Sequence, residues 1–207
     1  GSSEEDVAAL GLCVTKADLR VAGTRKGLST YADRHGCDLM VLSTHARQGV
    51  QRLLSANVAE PLARTIKAPT LFLPEGSAGF IDANTGEARL RNILVPVDLS
   101  PDPGRAVEIA VGLAQLLEAK GVVVTMLHVG AGMDSPPLRL VEGIDLRWMQ
   151  RPGAVVETIL KVVEETQADL VAMATRGHDG FLDALRGSTT EQVLRRANRA
   201  LLATPEY

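Results

Sequence analysis

Apolar and polar positions in the C-terminal half of the chain alternate between two kinds of run. Asn92-Ile93-Leu94-Val95-Pro96-Val97 is a short apolar block whose β-branched content predicts a strand. Asp102 followed by Pro103 supplies an N-cap and a proline at the first helical position. Ala106, Ile109, Ala110, Leu113 and Leu117 then recur at helical spacing, and Gly121 is the expected stop. Residues 122–129 read as a second strand. Val155, Ile159, Leu160 and Val163 mark a second helix, residues 170–174 a third strand, and residues 144–149 a short extra one. Ser188 opens a last helix, and residues 201–203 close with a strand. Strand and helix alternate throughout, which predicts an α/β fold built on a doubly wound parallel sheet.

The same pattern occurs earlier. Cys37-Asp38-Leu39-Met40-Val41-Leu42-Ser43-Thr44 runs parallel to Ala168-Asp169-Leu170-Val171-Ala172-Met173-Ala174-Thr175. The register holds without a gap: Gly49 matches Gly180, Leu54 matches Leu185 and Glu60 matches Glu191. Residues 68–74 continue it against residues 199–205. Two copies of one domain are the economical explanation. The first, residues 1–75, is expected to be incomplete, because nothing before Leu19 resembles the strand and helix that open the second, unless Asp6 to Val14 contributes a different element. Residues 76–91 form a linker in which Asn84 and Gly86, between apolar-polar arms, predict a hairpin. Residues 92–207 form the second domain.

Composition narrows the classes. Hydrophobic residues are 45% of the 207 and aromatics only 3%, which suits helices on aliphatic strands better than a β-sandwich. A formal net charge of −3 and the lack of a basic run give no reason to expect a nucleic-acid partner. No apolar run has the length of a membrane span. Cys13 and Cys37 lack metal-ligand or disulfide-framework spacing, so the expected setting is the cytoplasm.

Candidate chemistry gathers where strands of the second domain end. Asp98 follows the first strand. Met173-Ala174-Thr175-Arg176-Gly177 ends the later one, and Gly187-Ser188-Thr189-Thr190 opens the last helix. Ser188 with Glu191 makes an S-x-x-E capping box, leaving first-turn amides beside a glycine. Such a helix start can cradle an anion, and it can equally be a plain cap. Arg176 is suited to a phosphate or to a surface acid.

These residues together resemble the universal stress protein family. Its nucleotide-binding branch carries Gly, two residues, Gly, nine residues, then Gly-Ser or Gly-Thr. Here Ala174, Thr175-Arg176, Gly177, residues 178–186 and Gly187-Ser188 keep that spacing, with alanine replacing the first glycine. Residues 93–98 are similar to the family's opening strand and aspartate, and Leu127-His128-Val129 to its second strand end. The resemblance covers residues 89–207 and much of 19–75. It implies a Rossmann-like fold of the adenine-nucleotide α-hydrolase type. It also implies an adenine nucleotide, ATP or AMP, accompanied in one form by Mg2+. Asp98 and Val129, following Pro96, would border adenine and ribose. Met173 and Ala174 would lie beside the adenosine, and Gly177, Gly187, Ser188, Thr189 and Thr190 would hold phosphates. If the backbone at Ala174 needs positive φ, alanine costs about 1 kcal/mol or more there.

Copy one reads Ser43, Thr44-His45, Ala46, then nine residues and Ala56-Asn57, so none of the three glycines is present. It is expected to keep the fold without the ligand. His45, His128 and His178 lie near strand ends, but no Ser-His-Asp or Cys-His order accompanies them, and hydrogen-bonding or loop roles are expected. Asp179 and Asp183 are better read as solvated than as magnesium ligands. Trp148 and Met149 suit either the core or a partner surface. Asp98-Leu99-Ser100-Pro101 matches neither an adenylyltransferase nor a pyrophosphatase loop, and weak ATP hydrolysis is the most enzymatic reading left open. The expected function is a cytoplasmic, nucleotide-binding stress-response or regulatory protein, with its two domains paired within the chain or as a homodimer. The alternative is a scaffold of the same fold that binds no nucleotide.

Overall fold

A computed structural model of the protein describes Tyr31 and residues 34–44, 68–74, 76, 77, 79–82, 85–138, 140–176 and 188–206. Strands β1 (Met40–Thr44) and β2 (Thr70–Pro74) come from the first copy. The second copy supplies β3 (Asn92–Pro96), α1 (Gly104–Leu116), β4 (Val122–Val129), β5 (Ile144–Arg151), α2 (Val155–Thr166), β6 (Leu170–Thr175), α3 (Thr189–Arg196) and β7 (Ala200–Pro205). The strands form one sheet in the order β1-β2-β7-β6-β3-β4-β5. Every pairing is parallel except β2 with β7. This is the doubly wound α/β fold that the alternating pattern predicts.

Alternation along the strands feeds two cores. One face buries Ile93, Val95, Val124 and Ala172 with Ala106, Ala110 and Ala114, the every-fourth-residue stripe of α1. The other buries Leu94, Leu127, Val171 and Met173 against Ile159, Val162 and Val163 of α2 and Val193 of α3. A strand buried on both faces must be apolar at successive positions, which is why β3 and β6 read as unbroken apolar blocks.

Local signals act close to where they stand in the sequence. The Asp102 carboxylate accepts the amide of Gly104 at 3.0 Å. Pro103 is already in the right-handed helical region (φ −79°, ψ −9°), and its carbonyl accepts from the amide of Val107. The end of α1 departs from expectation. It stops at Leu116 rather than running on to Gly121, because Glu118 takes left-handed φ (49°) and the amides of Glu118 and Ala119 turn back onto Gln115 and Ala114. Gly121, at φ 65°, instead serves the turn into β4. The extra strand is longer than its sequence signal. β5 runs to Arg151 and pairs with β4 from Val122↔Ile144 through Val129↔Arg151. Asp145 and Arg147 are exposed in alternation, and Trp148 and Met149 pack against opposite cores.

Between the copies, Ile81 bridges Ala88 antiparallel, and the amides of Asp82 and Arg89 donate to the carbonyls of Glu87 and Phe80. Phe80 and Leu90 from the two arms are buried in the α1-side core. β2 then meets β7 through Thr70↔Ala203, Leu71↔Leu202 and Phe72↔Leu201. Leu71 and Leu202 occupy equivalent positions of the repeat. The antiparallel join is therefore centred on a residue facing its own counterpart, the self-complementary arrangement of a two-fold interface.

Asp169 ties the start of β6 to the start of β3. Its carboxylate accepts the amides of Arg91 and Asn92 at 2.7 and 2.9 Å, and its own amide donates to the carbonyl of Asn92 at 2.8 Å. Asp169→Ala strips a charged acceptor from both amides. We expect it to lower unfolding stability by roughly 1–2 kcal/mol. Urea titration should show a lower midpoint at unchanged slope, and an unaltered midpoint would contradict the role given to this carboxylate.

Candidate functional site

The chain winds from β3 outward to β4 and β5, then crosses back to lay β6 on the other side of β3. That reversal puts a topological switch point between β3 and β6, and in open α/β sheets the crevice beyond the carboxyl ends of such strands is the ligand site. The ladder explains the crevice. β3 pairs with β4 along its whole length, but with β6 only at Ile93↔Leu170 and Leu94↔Val171. Beyond Leu94 and Val171 the two strands run on without partnering each other.

A cavity of about 360 Å³ opens there. Its walls are Pro96, Val97 and Asp98 after β3, Leu127 and Val129 of β4, Val155 and Ile159 of α2, Met173 to Arg176 of β6, and Ser188, Thr189 and Thr190 at the start of α3. Ser100 and Pro101 complete the rim. The size lies within the range of small-molecule sites, as does the pattern of an apolar floor with a few convergent polar groups. Every residue singled out from the sequence as nucleotide-binding lines this one cavity, apart from Gly177 and Gly187. Those two lie outside the described residues, as do His45, His178, Asp179 and Asp183.

Each wall has a local cause. Asp98 is exposed, and its carboxylate accepts the amide of Leu99 at 2.8 Å. Ser188 caps α3 from extended backbone (φ −74°, ψ 165°), its Oγ accepting the amide of Glu191 at 3.2 Å. The capping-box reading is therefore met at its serine. Thr189 and Thr190 hold the first helical turn, where amides and the helix dipole favour an anion. Glu191, buried beneath them, pairs with Arg195 at 2.6 Å one turn on. Arg176 is exposed at the rim.

Ala174 belongs to β6, and among the described residues it is not one of those with left-handed φ. Its side chain packs with the α1-side core, the opposite face of the sheet from Met173. The strain that positive φ would have imposed on alanine does not arise. His128 is buried, its Nδ1 is 3.3 Å from the carbonyl oxygen of Val97, and its ring lies parallel to that of Trp148 at 6.4 Å. It braces β4 against the loop after β3 on the face away from the α2-side core. His35 is exposed and stacks on Tyr31 at 4.2 Å. Among the described residues no cluster of three or more His, Cys, Asp or Glu side chains is arranged for a metal.

Several lining groups were not foreseen. Val155 and Ile159 read in the sequence as an ordinary helical stripe, and only the fold shows that the first turn of α2 overhangs the crevice. Gly153, at φ 133°, leads into that helix, and a Cβ there would lie 2.7 Å from the Thr158 hydroxyl. Glu206 joins two parts of the rim. Its amide donates to the carbonyl of Thr175 at 2.9 Å, and its carboxylate accepts the amide of Asp102 at 3.2 Å. A lone acid after the last strand carries no signal that could have revealed this.

The helices flanking the cavity are linked at the surface. Arg196 of α3 donates to both carboxylate oxygens of Glu157 of α2 at 2.6 and 2.8 Å. That hydrogen bond is the main cause holding the Glu157 carboxyl below its ordinary 4.5, with the guanidinium charge adding to it against the cost of desolvation. A carboxyl with a depressed folded-state pKa contributes stability above its unfolded value and loses it as pH falls through the folded one. Glu157→Gln should therefore lie below the wild type in stability near neutrality, by a small amount typical of exposed pairs. The gap should close on acidification below pH 4.5. Urea midpoints measured across that range check it, and a gap that persists in acid would contradict the pairing.

Comparison with known proteins agrees with this geometry. The profile of the universal stress protein family matches residues 3–74 and again residues 138–205, together well over half of the chain. A universal stress protein of Synechocystis is 25% identical over 158 residues, spanning 67% of this chain and 96% of its own. The crystal structure of a universal stress protein from Archaeoglobus fulgidus superposes with a TM-score of 0.63 at 21% identity, covering 86% of this chain. The chain spans 65% of that protein's length. A protein of unknown function from Pseudomonas aeruginosa superposes at 0.60 with 15% identity, over 98% of this chain and 75% of its own. At these identities the superpositions speak to the fold alone, whereas the doubled profile match speaks to descent: the chain is a member of the universal stress protein family.

Proposed function

We propose that the cavity at the β3–β6 switch point binds an adenine nucleotide, ATP or AMP, as a stress-response or regulatory signal in the cytoplasm. One observation carries the reading: residues picked from four separate sequence segments by their resemblance to the family line a single crevice. In this reading Pro96, Asp98 and Val129 border adenine and ribose, with Met173 and Ala174 beside the adenosine. Gly177, Gly187, Ser188, Thr189 and Thr190 hold the phosphates, with Mg2+ accompanying a triphosphate. The residues present fit such a ligand. The floor of Leu127, Val129, Ile159 and Met173 is apolar enough for a base, and the first turn of α3 offers amides to an anion. No residue in the crevice is assigned a catalytic role.

The division into residues 1–75, a linker at 76–91 and a second domain at 92–207 belongs to the same proposal. The two profile matches and the hairpin between Ile81 and Ala88 support it. With none of the motif glycines in copy one, ligand binding falls to the second domain alone. A second reading, a scaffold that binds no nucleotide, draws on the β2–β7 join, whose Leu71↔Leu202 centre supports pairing of the two domains within the chain.

A ligand bound only by the folded protein stabilises it by mass action, by about 2.7 kcal/mol at a hundred times Kd. Titration calorimetry with AMP, ADP and ATP, with and without magnesium, should show saturable binding near one nucleotide per chain and a raised melting temperature. Asp98→Ala should weaken that binding about tenfold while leaving the unliganded melting temperature near that of the wild type. An absence of heat and of any thermal shift with all three nucleotides would overturn the proposal in favour of the scaffold.

A further inference from the structure

We infer that the side chain of Thr175 is a ligand-binding group of this cavity, its hydroxyl meeting an oxygen of the bound nucleotide. The inference rests on the nucleotide reading and adds a residue that the spacing of glycines does not single out.

The argument begins with the pleat. Successive side chains of a strand point to opposite faces, so Val171, Met173 and Thr175 of β6 share one. Val171 and Met173 lie in the core beneath α2 and α3, and Thr175, next in that row, lines the cavity at the end of the strand. Thr175 is only 4% exposed. Its Oγ1 is fully buried and, among the described residues, has no hydrogen-bond partner. A buried side-chain hydroxyl ordinarily has a hydrogen-bond partner. Thr204 on neighbouring β7 has one, its hydroxyl donating to the carbonyl of Met173 at 3.2 Å. Thr175 has made no such bond, although its own carbonyl accepts from the Glu206 amide and its backbone is paired with β7.

A buried hydroxyl without a partner weakens the fold, because its desolvation is not offset. Proteins retain such groups where something else completes them. Thr175 lines the same cavity as Met173 and Ala174, which the nucleotide reading puts beside the adenosine, and as Ser188 to Thr190, which it puts at the phosphates. An oxygen of a nucleotide bound in that cavity is the partner we assign to the hydroxyl. The hydroxyl proton can rotate to donate to it. Valine would fill the same volume and suit a strand equally well, so packing alone does not require threonine here.

The test separates the two states of the protein by sign. Thr175→Val removes the lone hydroxyl while keeping shape, so the unliganded protein should melt at or above the wild-type temperature. Its affinity for AMP and ATP in calorimetry should nevertheless fall about tenfold. Thr175→Ser keeps the hydroxyl, and its affinity should stay within about threefold of wild type. Thr175→Ala, which also lacks the hydroxyl but relieves any crowding by a methyl, should weaken binding as valine does. Tight binding by the wild type that valine leaves unchanged overturns this inference and spares the nucleotide reading. A valine variant that melts well below wild type without ligand overturns it too, since the hydroxyl would then already serve the unliganded fold. A wild type that binds neither nucleotide overturns the nucleotide reading, and this inference with it.

Discussion

The partnership of β3 with β6 is the constraint on which the rest of the molecule depends. It is short, Ile93↔Leu170 and Leu94↔Val171, and Asp169 reinforces its start by accepting the amides of Arg91 and Asn92. A parallel pair needs a crossover connection, and here the crossover reverses the winding direction of the chain. The strands must therefore be joined at one end and are left unpaired at the other. The joined end is stitched by a carboxylate and buried between two apolar cores. The unpaired end is the crevice. Stability and site thus share one piece of backbone, separated by only a few residues.

What surrounds the crevice follows from that geometry. Strand ends deliver Pro96, Asp98, Val129 and Met173 to its walls and floor, and the two helices of the same face deliver their N-terminal turns. Both helices point their amide ends toward the same space, one bringing Val155 and the other Ser188 to Thr190. The apolar approach suits a flat base, and the polar one suits an anion. The two helices are tied together by Arg196 and Glu157, and the rim by Glu206.

Much of this was legible in the sequence, for identifiable reasons. The strands of the second copy are apolar blocks because both their faces are buried, and the Asp102-Pro103 and Ser188-to-Glu191 signals start helices near where they stand. The repeat pointed to the self-complementary meeting of the copies only in outline, since no local pattern fixes the β2–β7 register on Leu71 and Leu202. Helix ends were harder to read. Glu118 can adopt left-handed φ without being glycine, so α1 closes before Gly121. The apolar stripe of α2 showed a helix but not that its first turn overhangs a cavity. Thr175 was passed over because a threonine inside a motif looks like filler until its hydroxyl is found buried and alone. Ala174 carries no strain from positive φ, because its backbone is ordinary strand.

On the proposed function, the β3–β6 crevice is a nucleotide site with the base on the strand floor and the phosphates at the start of α3. A crystal structure of the protein grown with AMP tests that most directly. Electron density for the nucleotide is expected across the carboxyl ends of β3 and β6, its base over Val129 and Met173. The phosphate should lie on the first-turn amides of α3, with a nucleotide oxygen within hydrogen-bonding distance of the Thr175 hydroxyl. AMP bound elsewhere on the molecule, or a crevice without nucleotide at saturating concentration, would contradict it.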